Sequence, residues 1–119
     1  MERDYDEALK HVDKALSFQE NSGRLWYLKG LILYNQKKFE DAEKALLKAD
    51  SLDPDDASTL YAIANNYDAM KRYEESYEYC ERVVAKYPNG ADHGEDWYGI
   101  APHAQHLMSS LEPYVKGGK

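Results

Sequence analysis

The sequence is poor in the features that mark secreted and membrane proteins. It contains one cysteine, Cys80, among 119 residues, so no disulfide can form within the chain. No apolar run approaches the roughly 18 residues that suggest a membrane span. The first residues, 1–7, are too polar for a signal peptide. These absences favour a cytoplasmic protein.

Basic residues are outnumbered by acidic ones. The chain has 15 Lys and Arg against 22 Asp and Glu, which gives a formal net charge of −7. The phosphate backbone of a nucleic acid repels a chain with this net charge on average. The basic residues form only short pairs, at 37–38 and 71–72, and both pairs fall at predicted turns. We therefore expect no nucleic-acid partner and no membrane partner.

Signatures of catalysis and of cofactor binding are also missing. The sequence has no glycine-rich phosphate loop, no HExxH and no paired CxxC. His103 and His106 are three residues apart, a spacing that can serve a metal, but the helical period turns them away from the apolar stripe. Cys80 falls in an apolar column and is expected to be a buried small side chain. We predict no enzyme, no cofactor and no metal, with a metal-dependent enzyme as a remote alternative.

The sequence does contain a gap-free repeat of 34 residues. One set of columns consists of Tyr5/Phe39/Tyr73, Ala8/Ala42/Ser76, Val12/Leu46/Cys80 and Ala15/Ala49/Val83. A second set consists of Trp26/Leu60, Gly30/Ala64, Leu33/Tyr67 and Pro54/Pro88. A fixed period of this length predicts stacked copies of one structural unit.

Apolar residues at three- and four-residue spacing predict that each unit is helical. The predicted helices are 5–19, 24–36, 39–52, 57–70, 73–86 and 95–111. Pro54 and Pro88 separate the repeats, because proline does not continue a helix and restricts the residue before it. Gly30 and Ala64 are small, which predicts that two antiparallel helices approach most closely there.

This pattern resembles the tetratricopeptide-repeat (TPR) family, whose motif is W-x2-L-G-x2-Y, then A-x3-F, then P. The matching residues are Trp26, Gly30, Ala42 and Pro54 in one repeat and Ile63, Ala64, Tyr67 and Pro88 in the next. The resemblance covers roughly residues 5–90. It implies an all-α helix-turn-helix solenoid, a right-handed superhelix with about two and a half repeats and a C-terminal capping helix.

The resemblance also implies an organisation of the chain. Residues 1–22 are the second helix of an incomplete first repeat, 23–56 and 57–90 are full repeats, 91–113 are a loop and an amphipathic capping helix, and 114–119 are a flexible tail. Pro102 should kink the capping helix or lie in its first turn. Without its partner helix, the first segment should expose an end face formed by Leu9, Val12 and Leu16. The chain would then be a piece of a longer array, a homodimer formed through this face, or a monomer.

In the family, the first helix of each repeat lines a concave groove that holds a peptide. By alignment, the groove residues are Arg24, Tyr27, Leu31, Tyr34, Ser58, Tyr61, Asn65 and Asp68. Asn65 resembles the family residue that hydrogen-bonds a ligand backbone. Tyr27, Tyr34 and Tyr61 either provide flat contact area for a ligand or pack between helices. Tyr27 and Leu31 depart from the lysine/asparagine clamp of chaperone-binding members.

We therefore expect a protein–protein interaction module, an adaptor that binds a peptide or protein segment in this groove. The alternative is a structural segment of a larger TPR protein or complex, acting through exposed end faces as a homodimer or as an assembly subunit.

Overall fold

A computed structural model describes residues 2–86 and 100–115 of the chain. Its helices are α1 (Glu2–Phe18), α2 (Gly23–Asn35), α3 (Phe39–Leu52), α4 (Ala57–Ala69), α5 (Tyr73–Lys86) and α6 (Ile100–Val115). The described residues include no β-strand. The predicted bounds of α2 to α5 are confirmed to within one residue, and α1 starts three residues earlier than predicted.

The helices form two compact units. The first unit, Met1–Thr59, contains α1, α2, α3 and the first turn of α4. The second unit, Leu60–Lys119, contains the rest of α4 together with α5 and α6. None of the helices in the described ranges is long and apolar enough to span a bilayer.

The core of the first unit explains the glycine of the repeat motif. Leu33, Ala42 and Ala45 are buried together between α2 and α3. A Cβ added to Gly30 would lie 2.5 Å from both Cγ and Cδ2 of Leu46, which is itself fully buried. The predicted close approach of the two helices is therefore confirmed at this position.

Helix α1 packs against α2, and this packing corrects one prediction. Lys29 Nζ of α2 lies 2.8 Å from Asp13 Oδ1, and Gln36 Nε2 donates to Asp6 Oδ1 at 2.9 Å. Leu9 packs on the core of the unit, and only 7% of Leu16 is exposed. The prediction that Leu16 is part of an exposed face is wrong, because these two leucines lie on the side of α1 that meets α2.

The turn after the first helix of each repeat has the same backbone conformation in both full repeats. Lys37 and Lys71, 34 residues apart, adopt left-handed φ values of 65° and 62°. Lys38 N donates to the Leu33 carbonyl and Arg72 N donates to the Tyr67 carbonyl, both at 2.9 Å. These bonds close the ends of α2 and α4 as a Schellman motif does, so the sequence repeat is also a repeat of local structure.

In the second unit, Leu60, Ala64, Cys80, Val83 and Ala104 form one buried cluster across α4, α5 and α6. The hydroxyl of Ser76 donates to the Ala64 carbonyl at 2.7 Å in this buried setting. A serine can therefore replace the family alanine in this column without leaving a polar atom unpaired. The burial predicted for Cys80 is confirmed.

Helix α6 packs its apolar side on α5. Leu107 and Met108 contact the buried cluster, and Leu111 is 2% exposed. Pro102 lies in the first turn of the helix as described, which is one of the two predicted places for it. The helix continues to Val115, through two residues assigned from the sequence to the tail. The predicted helical residues 95–99 and the remaining tail, 116–119, lie outside the described residues.

Candidate functional site

Three of the predicted groove residues line one cleft of the first unit. Arg24, Tyr27 and Ser58 surround a space of about 130 Å³, and the rest of its wall is formed by Gly23, Asp53, Asp56 and Thr59. At about 30 Å³ for each water molecule, this space holds about four waters. It is large enough for the end of one polar side chain.

Two helix starts place these residues. Ser22 caps α2 by accepting a hydrogen bond from Leu25 N at 3.2 Å. Asp56 caps α4 in the same way, because its Oδ1 accepts from Ser58 N at 2.8 Å. A Cβ added to Gly23 would lie 3.2 Å from the Cβ of Asp53, so the start of α2 lies against the end of α3. The cleft therefore lies beside the amino ends of α2 and α4.

Tyr27 is the most perturbed group of this cleft. Its partial burial raises the pKa of the phenol, and the negative charge of Asp56 adds to the effect. The positive charge of Arg24 and a hydrogen bond with the Ser58 side chain lower the pKa, but their effects are smaller. Tyr27 therefore keeps its proton at neutral pH, and its hydroxyl can both donate and accept a hydrogen bond.

The other two predicted groove residues of α2 have different surroundings. Leu31 is half-buried and is not part of the cleft wall. Tyr34 packs on the core of the unit, with its ring centre 5.7 Å from that of Phe39 in an edge-to-face arrangement. Tyr34 thus contributes to packing between α2 and α3, which was one of the two interpretations open for the tyrosines.

In the second unit, Tyr61, Asn65 and Asp68 are all half-buried on α4. The ring of Tyr61 packs beside the buried cluster, and its centre is 6.2 Å from that of His103 on α6. Burial raises the pKa of the Asp68 carboxyl. His103 is exposed at this surface. The sequence did not predict that His103 lies next to Tyr61. The groove residues were assigned by alignment of the two full repeats, and α6 lies beyond them.

Cys80 and the possible metal ligands are the residues that sequence analysis considered for chemistry. Burial raises the pKa of Cys80 to about 12, and the charges of Asp68 and Glu81 act in the same direction, so this thiol is protonated at neutral pH. In the described ranges no three His, Cys, Asp or Glu side chains lie close enough to hold a metal ion. The acidic and histidine residues at 92, 93 and 95 lie outside these ranges.

Comparison with known sequences finds proteins that contain the tetratricopeptide repeat. A family profile described as the N-terminal TPR repeats region of Psidin matches residues 2–101. A TPR repeat-containing protein of Methanocaldococcus jannaschii is 42% identical over 60 residues, which are 50% of this chain and 10% of that protein. The TPR repeat-containing protein YvcD of Bacillus subtilis is 29% identical over 92 residues, which are 77% of this chain and 19% of that protein.

A human protein O-mannosyl-transferase, TMTC3, is 34% identical over 108 residues, which are 88% of this chain and 12% of that protein. The chain thus spans 10% to 19% of the length of these relatives. Among solved structures, the crystal structure of MamA protein superposes with a TM-score of 0.68 at 21% identity, and the match covers 92% of this chain and 60% of that one. This likeness confirms the predicted fold class, all-α and TPR-like.

Proposed function

Because the chain belongs to the tetratricopeptide-repeat family, we propose that it is a protein–protein interaction module that binds a peptide or protein segment along α2 and α4, the first helices of its full repeats. The observation that carries this proposal is the cleft of the first unit, which brings together Arg24, Tyr27 and Ser58.

The cleft favours a partner segment with a basic side chain. Asp53 and Asp56 carry two negative charges and Arg24 carries one positive charge, so the formal charge of its wall is −1. The whole chain carries −7 and attracts basic segments over a longer range. Hydroxyl groups of Tyr27 and Ser58 complete the set of donors and acceptors. A lysine or arginine of the partner would enter here, while neighbouring residues of the partner contact the rings along α2.

The second unit adds a contact of a different kind. Tyr61 and His103 form an aromatic pair at the surface, and the amide of Asn65 is half-buried on the same helix as Tyr61. Tyrosine supplies a large contact area at low entropic cost, and an asparagine amide can pair with both groups of a peptide bond. We assign to this pair a stacking contact with the partner and to Asn65 a hydrogen bond to its backbone.

The proposal contains no catalytic step. Relatives that carry this repeat are interaction modules as a rule, and the transferase activity in the name of the human relative is a property of that much longer protein. Binding, with no chemistry on the partner, is the function that these side chains support. The proposal includes a cytoplasmic location, which the sequence predicts.

Site-specific photo-cross-linking in the source cells tests the proposal. A photoreactive phenylalanine analogue replaces Tyr27 or Tyr61 in two separate variants. Matched controls place the same analogue at Lys44 and Lys48, which are exposed on α3. We expect the two tyrosine positions to capture the same protein, through peptides of that protein that contain lysine or arginine. Equal capture of that protein at the α3 positions would contradict binding along α2 and α4.

A further inference from the structure

Three hydrogen-bond acceptors in the cleft of the first unit come from three different parts of the chain. Asp53 follows the last residue of α3, Tyr27 belongs to α2, and Asp56 precedes the first residue of α4. Around one space of about 130 Å³ they offer two carboxylates and one phenol oxygen. A ligand that pairs with all three at once needs several donors on a single small group.

The charges of the cleft favour a cation at the Tyr27 hydroxyl. This phenol reports the local potential, because nearby negative charge raises its pKa and nearby positive charge lowers it. Asp56 raises the pKa of Tyr27 by more than Arg24 lowers it. The negative charge of Asp56 thus outweighs the positive charge of Arg24 at this oxygen, although both side chains are part of the wall.

The two helix starts beside the cleft do not reverse this preference. An uncapped amino end of a helix attracts anions through its unpaired N–H groups. Here the Ser22 hydroxyl already accepts from Leu25 N at the start of α2, and Asp56 Oδ1 accepts from Ser58 N at the start of α4. Because Asp56 also brings a negative charge to the start of α4, an anion would be repelled where that end would otherwise attract it.

The role of Asp56 as a cap distinguishes between the two basic side chains. Its Oδ1 is already used by Ser58 N, at 2.8 Å. An arginine binds best to both oxygens of one carboxylate, in the plane of its guanidinium. A lysine ammonium is a compact point charge with three donors, which can go to acceptors on separate residues. A partly used carboxylate, a second carboxylate and a phenol therefore suit lysine better.

We propose that this cleft selects an unmodified lysine of the partner over arginine, with the ammonium donating to Asp53, to Oδ2 of Asp56 and to the hydroxyl oxygen of Tyr27. The inference rests on the proposed binding along α2 and α4, and it adds the identity of the side chain that enters the cleft. It also adds a way to regulate binding. Acetylation of that lysine removes its charge and leaves one N–H, so acetylation releases the partner.

The test uses the intact chain and single-residue probes, so it does not require the partner. Nα-acetyl-lysine N-methylamide is titrated into isotope-labelled protein, and the backbone amide signals are followed by NMR. We expect saturable shifts at Tyr27, Asp56 and Ser58 with a Kd of about 1–10 mM. The equivalent arginine probe should bind about fivefold more weakly or worse, and the Nε-acetylated lysine probe should give no saturable shift.

Two variants locate the binding within the cleft. Asp56→Asn keeps a good cap for α4 and loses the charge, so lysine binding should weaken by about tenfold, to the level of arginine. Tyr27→Phe keeps the ring and loses one acceptor, so lysine binding should weaken by about threefold or more. The matched control is Asp41→Asn, which removes the same charge from an exposed position in the first turn of α3 and should bind as the parent does.

The inference is overturned by the absence of saturable shifts in the cleft, by equal Kd values for the lysine and arginine probes, or by an unchanged Kd in Asp56→Asn. Equal shifts along α5, which exposes Glu74, Glu78 and Glu81, would also overturn it, because the probe would then respond to any acidic surface. Saturable shifts of the cleft residues with inorganic phosphate alone would show an anion site instead. Capture of one partner at both tyrosine positions, together with a lysine probe that does not bind, would leave the proposed function standing and reject this inference.

Discussion

Gly30→Ala is the substitution whose effect on stability follows most directly from the structure. In an open helix this change stabilises by about 1 kcal/mol, because alanine is the better helix former. Here the new Cβ would lie 2.5 Å from Cγ and Cδ2 of Leu46 and 3.4 Å from its backbone nitrogen. The Cγ cannot swing away as the tip of a flexible side chain can, and Leu46 is fully buried. Overpacking of this kind costs about 1–3 kcal/mol, so we expect a net loss of about 1 kcal/mol in the free energy of unfolding.

Urea denaturation followed by circular dichroism measures this loss, and a double-mutant cycle with Leu46→Ala assigns its cause. Leu46→Ala alone should cost about 2–5 kcal/mol, which a chain of this length can lose and still fold. In that background the contact is gone, so Gly30→Ala should become stabilising by up to about 1 kcal/mol. If Gly30→Ala stabilises the parent protein, or destabilises the Leu46→Ala protein by the same amount, the close contact between α2 and α3 is not the cause.

Further predictions concern single side chains. Ser76→Ala should lower the free energy of unfolding by about 1 kcal/mol, because the hydroxyl makes a buried hydrogen bond of 2.7 Å, and an unchanged urea midpoint would contradict this. Lys37→Gly should raise the free energy of unfolding by about 0.5–1 kcal/mol, since φ is 65° there, and a lower urea midpoint would be the opposite of what we expect. The thiol of Cys80 should resist a disulfide reagent at pH 8 until the protein unfolds. Its pKa rises from an ordinary 9.0 to about 12 in the fold, so the unfolded chain ionises first and stability falls as pH rises from 9 towards 12. In Cys80→Ala the free energy of unfolding should fall less over this pH range. An equal fall would show that ionisation of this thiol is not the cause. Asp56→Asn, which keeps a good cap for α4, should lower the pKa of Tyr27 in an NMR titration, whereas an unchanged or higher pKa would show that the carboxylate does not raise it.

The sequence predicted the helices and the core because both depend on a pattern that is repeated. The bounds of α2 to α5 follow from apolar spacing, and the small size of Gly30 follows from the close approach of two helices. The left-handed turns at Lys37 and Lys71 coincide with the basic pairs that the sequence placed at turns. In each of these features one repeat supports the interpretation of the other.

Features without a counterpart in the repeat were harder to predict. The side of α1 that α2 covers depends on packing between neighbouring repeats, which is why Leu16 was expected to be exposed and is buried. The acidic wall of the cleft comes from the turn after α3, where Asp55 has a φ of 63° that no periodic pattern specifies. The contact of Tyr61 with His103 requires the position of α6, which lies beyond the two full repeats.

The affinity of the captured partner segment tests the central claim most directly. The segment identified by cross-linking is made as a peptide, and its Kd is measured by calorimetry for the parent chain and for Tyr27→Ala, Tyr61→Ala and Asn65→Ala. Lys44→Ala is the control on α3. We predict that Kd rises by about tenfold or more in the three groove variants, each still folded by circular dichroism at the temperature of the measurement, and stays the same in the control. The same Kd in all four variants would show that α2 and α4 do not hold the partner.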